Sequence, residues 1–252
     1  MNILLVNDDG IEAAGIRYLM RGLCEKHTVF AVAPDRERSA VSKAMTLTTP
    51  LRAKPLEIEG VACAYAVDGM PVDCVRLGLG NLVPEEPDVV ISGINRGPNL
   101  GTDTLYSGTC AGAQEAALSG VQAIAMSVDR RNPVHYDTAV AVTKRMIEIV
   151  KNHPLPFGMY YNVNVPDLPT EEIKGYRLTG LATVRYNKVY ERREDPIGRP
   201  YYWAPRGRLA CDPNDDTDDA WVRRGYVTVT PMGFRSERLD AVDLSEEFGG
   251  EA

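Results

Sequence analysis

The sequence lacks any apolar run approaching the roughly 18 residues that a membrane span requires, because its hydrophobic stretches are broken early by charge or glycine. Its start, MNILLVNDDG, carries no basic leader and reaches Asp8 too soon for a secretory signal. Cysteine is sparse: five residues, at 24, 63, 74, 110 and 211, form an odd set without CxxC spacing. That excludes a disulfide framework and a zinc ribbon, so reduced thiols and a cytoplasmic location are expected. Histidine is sparser still, and His27, His135 and His153 stand too far apart to form a zinc centre. Positive charge is in deficit, with 28 basic against 35 acidic side chains and a net charge of −7. Sequence-independent nucleic-acid binding, which neutralises phosphates with Lys and Arg, is disfavoured.

Several catalytic signatures are missing as well. There is no GxGxxG, no GK[ST] and no G-x-S-x-G, which disfavours a dinucleotide site, a Walker-type phosphate loop and a nucleophile elbow. The sixth residues after the cysteines are Phe30, Gly69, Gly80, Ala116 and Thr217, never Arg, so a cysteine phosphatase is ruled out. The first carboxylates are contiguous instead of spaced DxD, and an aspartyl-phosphate intermediate loses support.

What is present is an ordinary globular composition, 44% hydrophobic and 25% charged over 252 residues. A chain of this length buries about 70–75% of its unfolded surface without staples. Asn2–Val6 reads as a buried strand stopped by Asn7-Asp8-Asp9-Gly10. Ile16, Leu19, Met20 and Leu23 follow with helical period, and Thr28 to Ala33 is a second strand. The pattern recurs: a strand at Asp88 to Ser92, a small-residue helix from Ser107 to Ser119, and a strand at Val121 to Val128. A helix through Ala139, Val142, Met146, Ile147 and Val150 and a strand at Met159 to Val165 complete it. Strands apolar on both faces, alternating with helices, predict a mostly parallel sheet covered by helices. Met45 to Val67 alternates like an antiparallel hairpin, and Gly225 to Thr230 is a closing strand. One α/β domain is expected: a core over about 1–183, a projecting β-rich arm over about 184–224, and a closing strand with an acidic tail over about 225–252.

The arm is the least aliphatic part. Residues 185–208 hold seven basic and three acidic side chains among Tyr186, Tyr190, Tyr201, Tyr202 and Trp203. A solvated hairpin, an arm packing on a partner subunit and an RNA-binding patch all fit, and Arg with aromatics is the composition of interface cores. The charge is uneven: residues 1–211 carry 24 acidic and 24 basic side chains, while 212–252 carry 11 and 4. The acidity therefore belongs to the end of the chain, and DPNDDTDD at 212–219 reads as a solvated loop, not a second metal site.

Adjacent strand residues point to opposite faces, so Asp8 and Asp9 converge only where the strand has ended. In a parallel sheet that end is where ligands bind. Two carboxylates held together repel unless a cation neutralises them, and a hard divalent ion suits oxygen ligands. An Asx-type turn is the plainer alternative. The loops Pro34 to Ser39 and Gly93 to Gly101 follow other strands and are expected to face the pair. Tyr106-Ser107-Gly108-Thr109 opens the small-residue helix, where free N–H groups and hydroxyls suit a phosphate, although capping alone also selects Ser or Thr.

The blocks ILLVNDDG, APDRERSAVSKAMT and DVVISGINRGPNLGTDTLYSGTCAGAQEA, with NVNVP and GYVTVTP in the same order, resemble the SurE (survival protein E) family. The resemblance runs from Met1 to about Gly233. It implies a Rossmann-like α/β core and one divalent cation per subunit, Mg²⁺ or Mn²⁺. It also implies hydrolysis of nucleoside 5′- and 3′-monophosphates, with short polyphosphate as a further substrate. Carried over by position, it puts metal ligands at Asp8, Asp9, Ser39 and Asn95, and phosphate contacts at Asn95, Ser107, Gly108 and Thr109. The attacking water would be handled by Asp8 or Asp9. The resemblance further implies that the C-terminal arm joins subunits into a homodimer or homotetramer. The sequence departs from the family's pattern at Ala40, where glycine is usual, and at Cys110 and Gly112. Cys110 in a helix's first turn is expected as a buried small residue or a thiol of lowered pKa. A non-catalytic nucleotide sensor built on the same crevice is the alternative reading.

Overall fold

The aliphatic run Asn2–Val6 forms β1, and its side chains alternate between two separate cores. The fold is that of a computed structural model, which describes residues 1–204, 208–210 and 216–234. Cys211, residues 212–215 and the tail beyond Phe234 lie outside the described residues. After β1 come α1 (Ala14–Leu23), β2 (Thr28–Pro34), β3 (Ala53–Leu56) and β4 (Cys63–Val67). Then follow α2 (Pro71–Leu77), β5 (Val89–Arg96), α3 (Gly108–Leu118), β6 (Gln122–Val128), α4 (Tyr136–Asn152) and β7 (Tyr160–Val165). The C-terminal part adds β8 (Tyr176–Leu178), β9 (Arg185–Tyr186), β10 (Glu191–Glu194), β11 (Pro200–Trp203), β12 (Arg208–Ala210), α5 (Asp218–Arg223) and β13 (Val227–Met232).

Nine strands make one sheet in the order β3-β4-β2-β1-β5-β6-β7-β13-β8. The six from β4 to β7 are parallel, in the doubly wound order whose direction of winding reverses between β1 and β5. Antiparallel strands flank them: β3 pairs with β4 as the expected hairpin, and β13 pairs antiparallel with β7. Ile3 and Leu5 face α1 and α4, joining Ile16, Leu19, Leu23, Met146 and Ile147. Leu4 and Val6 face α2 and α3, joining Phe30, Val32, Cys74 and Val75. Each such side chain contributes about 1.5–3 kcal/mol by leaving water.

Three parts differ from the sequence expectation. The strand beginning at DVVIS continues to Arg96, with a shift of register between Ser92 and Asn95, so Gly93 to Arg96 belongs to the sheet and not to a loop. The helix α2 was not foreseen; Pro71 opens it and the Asp73 carboxylate accepts from the Met70 N–H at 2.9 Å. The end of the acidic run is not solvated: Thr217, Asp218 and Asp219 are buried, with Thr217 capping α5. Among the described residues no helix is long and apolar enough to cross a membrane.

Candidate active site

At the end of β1 the buried Asn7 side chain folds back on the turn. Its Nδ2 donates to the Gly10 carbonyl at 2.8 Å, and its Oδ1 accepts from the Gly10 N–H at 3.1 Å. Gly10 has φ +100°, a left-handed value that suits glycine, and a Cβ there would lie 3.2 Å from the Arg36 backbone. The Asx turn is thus real and made by Asn7; it presents both aspartates at the strand end instead of replacing that role. The site lies at the switch point, with β2 on one side of β1 and β5 on the other.

Asp8 is almost wholly buried, and its Oδ1 accepts from Thr109 Oγ1 at 2.6 Å. Burial pushes its pKa up to about 6, against the lowering effect of the Thr109 hydroxyl, and the neighbouring Asp9 adds to the rise. Burial raises Asp9 as well, opposed by Arg96, whose backbone N–H and Nε reach its two oxygens at 3.2 and 3.0 Å. Arg96 also pairs with Glu37. Glu37 in turn accepts from Ser39 Oγ at 2.7 Å, the main reason its pKa falls below the usual carboxylate value. A cavity of about 470 Å³ opens beside these groups, lined by Asp9, Glu37, Ser39, Arg96, Arg131 and Asn132. A larger groove of about 860 Å³, between Arg76 and Val121, lies by the end of α3 and the start of β6, at the opposite edge of the sheet.

Asn95 lies one residue before the end of β5, with its Nδ2 donating to the Gly97 carbonyl at 2.8 Å, which orients the amide and leaves Oδ1 as its donor atom toward a cation. The oxygens of Asp8, Asp9, Asn95 and Ser39 are the hard donor set a divalent ion prefers. The burial-raised carboxylates fit such an ion, since its charge would relieve their desolvation. Among the described residues no group of three or more His, Cys, Asp and Glu side chains is placed to hold a metal ion.

Ser107 caps α3, its Oγ accepting from the Cys110 N–H at 3.1 Å. Gly108 abuts Asp8: a Cβ there would fall 2.8 Å from that of Asp8. The Thr109 hydroxyl is committed to Asp8, and its backbone N–H faces the same carboxylate. Cys110 is not activated by the helix start; burial pushes its thiol up to about 12.

The sequence reading missed the support behind this loop. Asn99 is buried, its N–H donating to Asn164 Oδ1 at 2.8 Å and its Nδ2 to Ser127 Oγ at 2.8 Å. Its carbonyl accepts from Asn162 Nδ2 at 2.8 Å and Asn164 Nδ2 at 3.0 Å. The available signal was two asparagines two apart within an apolar strand, which places both amides on one buried face.

A family model described as "Survival protein SurE" matches residues 3–188. The 5′-nucleotidase SurE of Kosmotoga olearia is 43% identical over 251 residues, covering 99% of both chains. The 5′/3′-nucleotidase SurE of Proteus mirabilis is 42% identical over 248 residues, covering 98% of this chain and 96% of that one. The crystal structure of the Aquifex aeolicus Sure protein superposes with a TM-score of 0.80 at 37% identity, covering 94% of this chain and 95% of that one. With a doubly wound sheet, paired aspartates at its switch point and relatives matched over nearly their whole length, the chain belongs to the SurE family of 5′-nucleotidases.

Proposed function

We propose that this SurE-family 5′-nucleotidase hydrolyses phosphomonoesters without a covalent intermediate. Asp8, Asp9 and Asn95 would hold one Mg²⁺ or Mn²⁺, with Ser39 as a neutral ligand directly or through water. When bound, the cation supplies Lewis-acid polarisation of a phosphoryl oxygen and a more acidic water. The observation that carries this reading is the burial of two adjacent carboxylates at the switch point, Asp8 raised to about 6 beside Asp9. The start of α3 at Ser107, Gly108 and Thr109, with Asn95, binds the phosphate and stabilises the charge that develops on it. One of the two aspartates orients or deprotonates the attacking water. Thr109 keeps Asp8 in place for either task.

The substrates we propose are nucleoside 5′- and 3′-monophosphates, with short polyphosphate in addition. Release of inorganic phosphate from AMP, GMP and a 3′-nucleotide, with Mn²⁺ and with EDTA, tests this. Full turnover in EDTA would overturn the metal assignment. A purely nucleotide-sensing role is disfavoured by the hydrolase family to which the chain belongs.

We further propose one α/β domain with a C-terminal arm that joins subunits into a homodimer or homotetramer. The support is the exposure of Tyr190, Ile197, Tyr202 and Trp203 around the β10–β11 hairpin. Light scattering of the full chain tests it, and a monomer at micromolar concentration would overturn it. A cytoplasmic location is proposed on the four unpaired cysteines 24, 63, 74 and 110.

A further inference from the structure

Asp218 is fully buried, and its carboxylate is met by backbone N–H groups from three separate places in the chain. Its Oδ2 accepts from Gly101 at 2.8 Å, while its Oδ1 accepts from Ala182 and Asp219, both at 2.9 Å. A buried carboxylate is costly unless its oxygens are hydrogen-bonded, and an apolar side chain would pack a short helix without that cost. What the carboxylate does that an apolar group could not is tie backbone segments together.

The three segments are the loop following β5, the root of the arm, and α5. Loop and root touch backbone to backbone: a Cβ on Gly101, which has φ +55°, would fall 2.2 Å from the Ala182 carbonyl oxygen. Thr102 Oγ1 donates to the Val184 carbonyl at 2.8 Å, and the Tyr186 hydroxyl donates to the Asp103 carboxylate at 2.6 Å. On the far side, the Asp218 N–H donates to the Gly180 carbonyl at 3.0 Å. The loop so held runs from Gly97 to Tyr106, between the end of β5 and the cap of α3, and Asn99, two residues before Gly101, anchors its middle.

We propose that Asp218 is a positioning residue for the hydrolytic site: its carboxylate fixes the Gly97–Tyr106 segment to the arm's root and thereby sets Asn95 and Ser107 at the two ends of that segment. The inference rests on the reading of Asn95 and Ser107 as site residues.

Asp218→Asn tests it selectively. The one remaining carbonyl oxygen serves the Ala182 and Asp219 donors, which leaves the new NH₂ group facing the Gly101 N–H, donor against donor. Arm root and α5 stay anchored while the loop is released. Val222→Ala, which trims a buried apolar side chain of α5 and keeps the Asp218 carboxylate, is the control for loss of stability alone. Hydrogen exchange of the 97–106 segment is expected to speed up at least about tenfold in D218N, with kcat for AMP down about tenfold and KM changed less than threefold. V222A should keep wild-type loop exchange and kinetics. Wild-type loop exchange and wild-type kcat in D218N overturn the proposal.

A measurement on the wild-type chain covers the case in which D218N fails to fold. If one carboxylate clamps them, the amides of Gly101, Ala182 and Asp219 exchange with similar protection. A Gly101 amide exchanging a hundredfold faster than that of Ala182 overturns the clamp. Undiminished turnover in Asn95→Ala would count against the site reading, and not against the clamp, which stands or falls on loop exchange.

Discussion

Thr109 Oγ1 donates to Asp8 Oδ1 at 2.6 Å, joining the first turn of α3 to the end of β1 across 101 positions of sequence. Both groups are out of solvent, so the hydroxyl is what keeps the carboxylate hydrogen-bonded and aimed. Thr109→Val keeps the shape and removes the donor. The expected cost is about 1–3 kcal/mol, a Tm lower by roughly 3–9 °C, with kcat/KM for AMP down at least about tenfold. Calorimetry and phosphate release check both; an unchanged Tm would mean that the bond contributes nothing.

Asp8→Asn separates turnover from folding. A carboxyl whose folded pKa lies above its unfolded value binds more protons in the native state. Its favourable contribution is present below about pH 4 and is lost as pH rises through about 6. Without a cation the Asn variant should therefore match wild type near pH 4 and exceed it by roughly 3 kcal/mol at pH 8. Added Mn²⁺ should stabilise wild type alone, and turnover should be abolished in the variant. Urea midpoints at the two pH values measure the difference, and a variant less stable than wild type at pH 8 would contradict the sign.

Ala40 has φ +56°, a backbone conformation that opposes any side chain with a Cβ. Glycine, the residue expected there from the resemblance, adopts this conformation without that penalty. Ala40→Gly should raise the unfolding free energy by about 0.5–1 kcal/mol, read as a higher denaturation midpoint: the relief of the left-handed penalty less glycine's greater unfolded-state freedom. A lower midpoint would show that the turn after Ser39 is not left-handed in solution.

Thiol chemistry should divide by burial. Cys110 is pushed up to about 12 and Cys74 higher still, whereas Cys24 and Cys63 are only half-buried. Native alkylation at pH 8, mapped by mass spectrometry, should modify Cys24 and Cys63 at least about tenfold faster than Cys74 and Cys110. In urea the four rates should converge. Fast modification of Cys110 in the folded chain would restore the idea of a helix-activated thiol.

The order of strands and helices and the turn that carries Asp8 and Asp9 were legible in the sequence for different reasons. β1 and α1 announce themselves by period, and contiguous aspartates after an apolar strand have only one place to converge. Ser39 and Asn95 came only with the family resemblance, since the rule that loops after parallel strands share an edge points to whole loops and singles out no side chain in them. What stayed hidden depends on backbone partners, which composition does not reveal. Seven residues of α2 are too few for a period to show, and Asp218 looks like any member of an acidic run until Gly101 and Ala182 are seen to donate to it. Arg96 and Glu37 were visible in the quoted loops, but nothing in their spacing distinguished a pair aimed at Asp9 from solvated charge.

The arm leaves the sheet after β8 and the chain returns at α5, and these two feet touch through a bridge between Gly180 and Thr217. An excursion whose entry and exit adjoin is a cassette: it can lengthen, shorten or change its surface without rethreading any strand. Selection can therefore rewrite the surface of this excursion while the aspartate crevice stays untouched, provided the clasp at the base is kept.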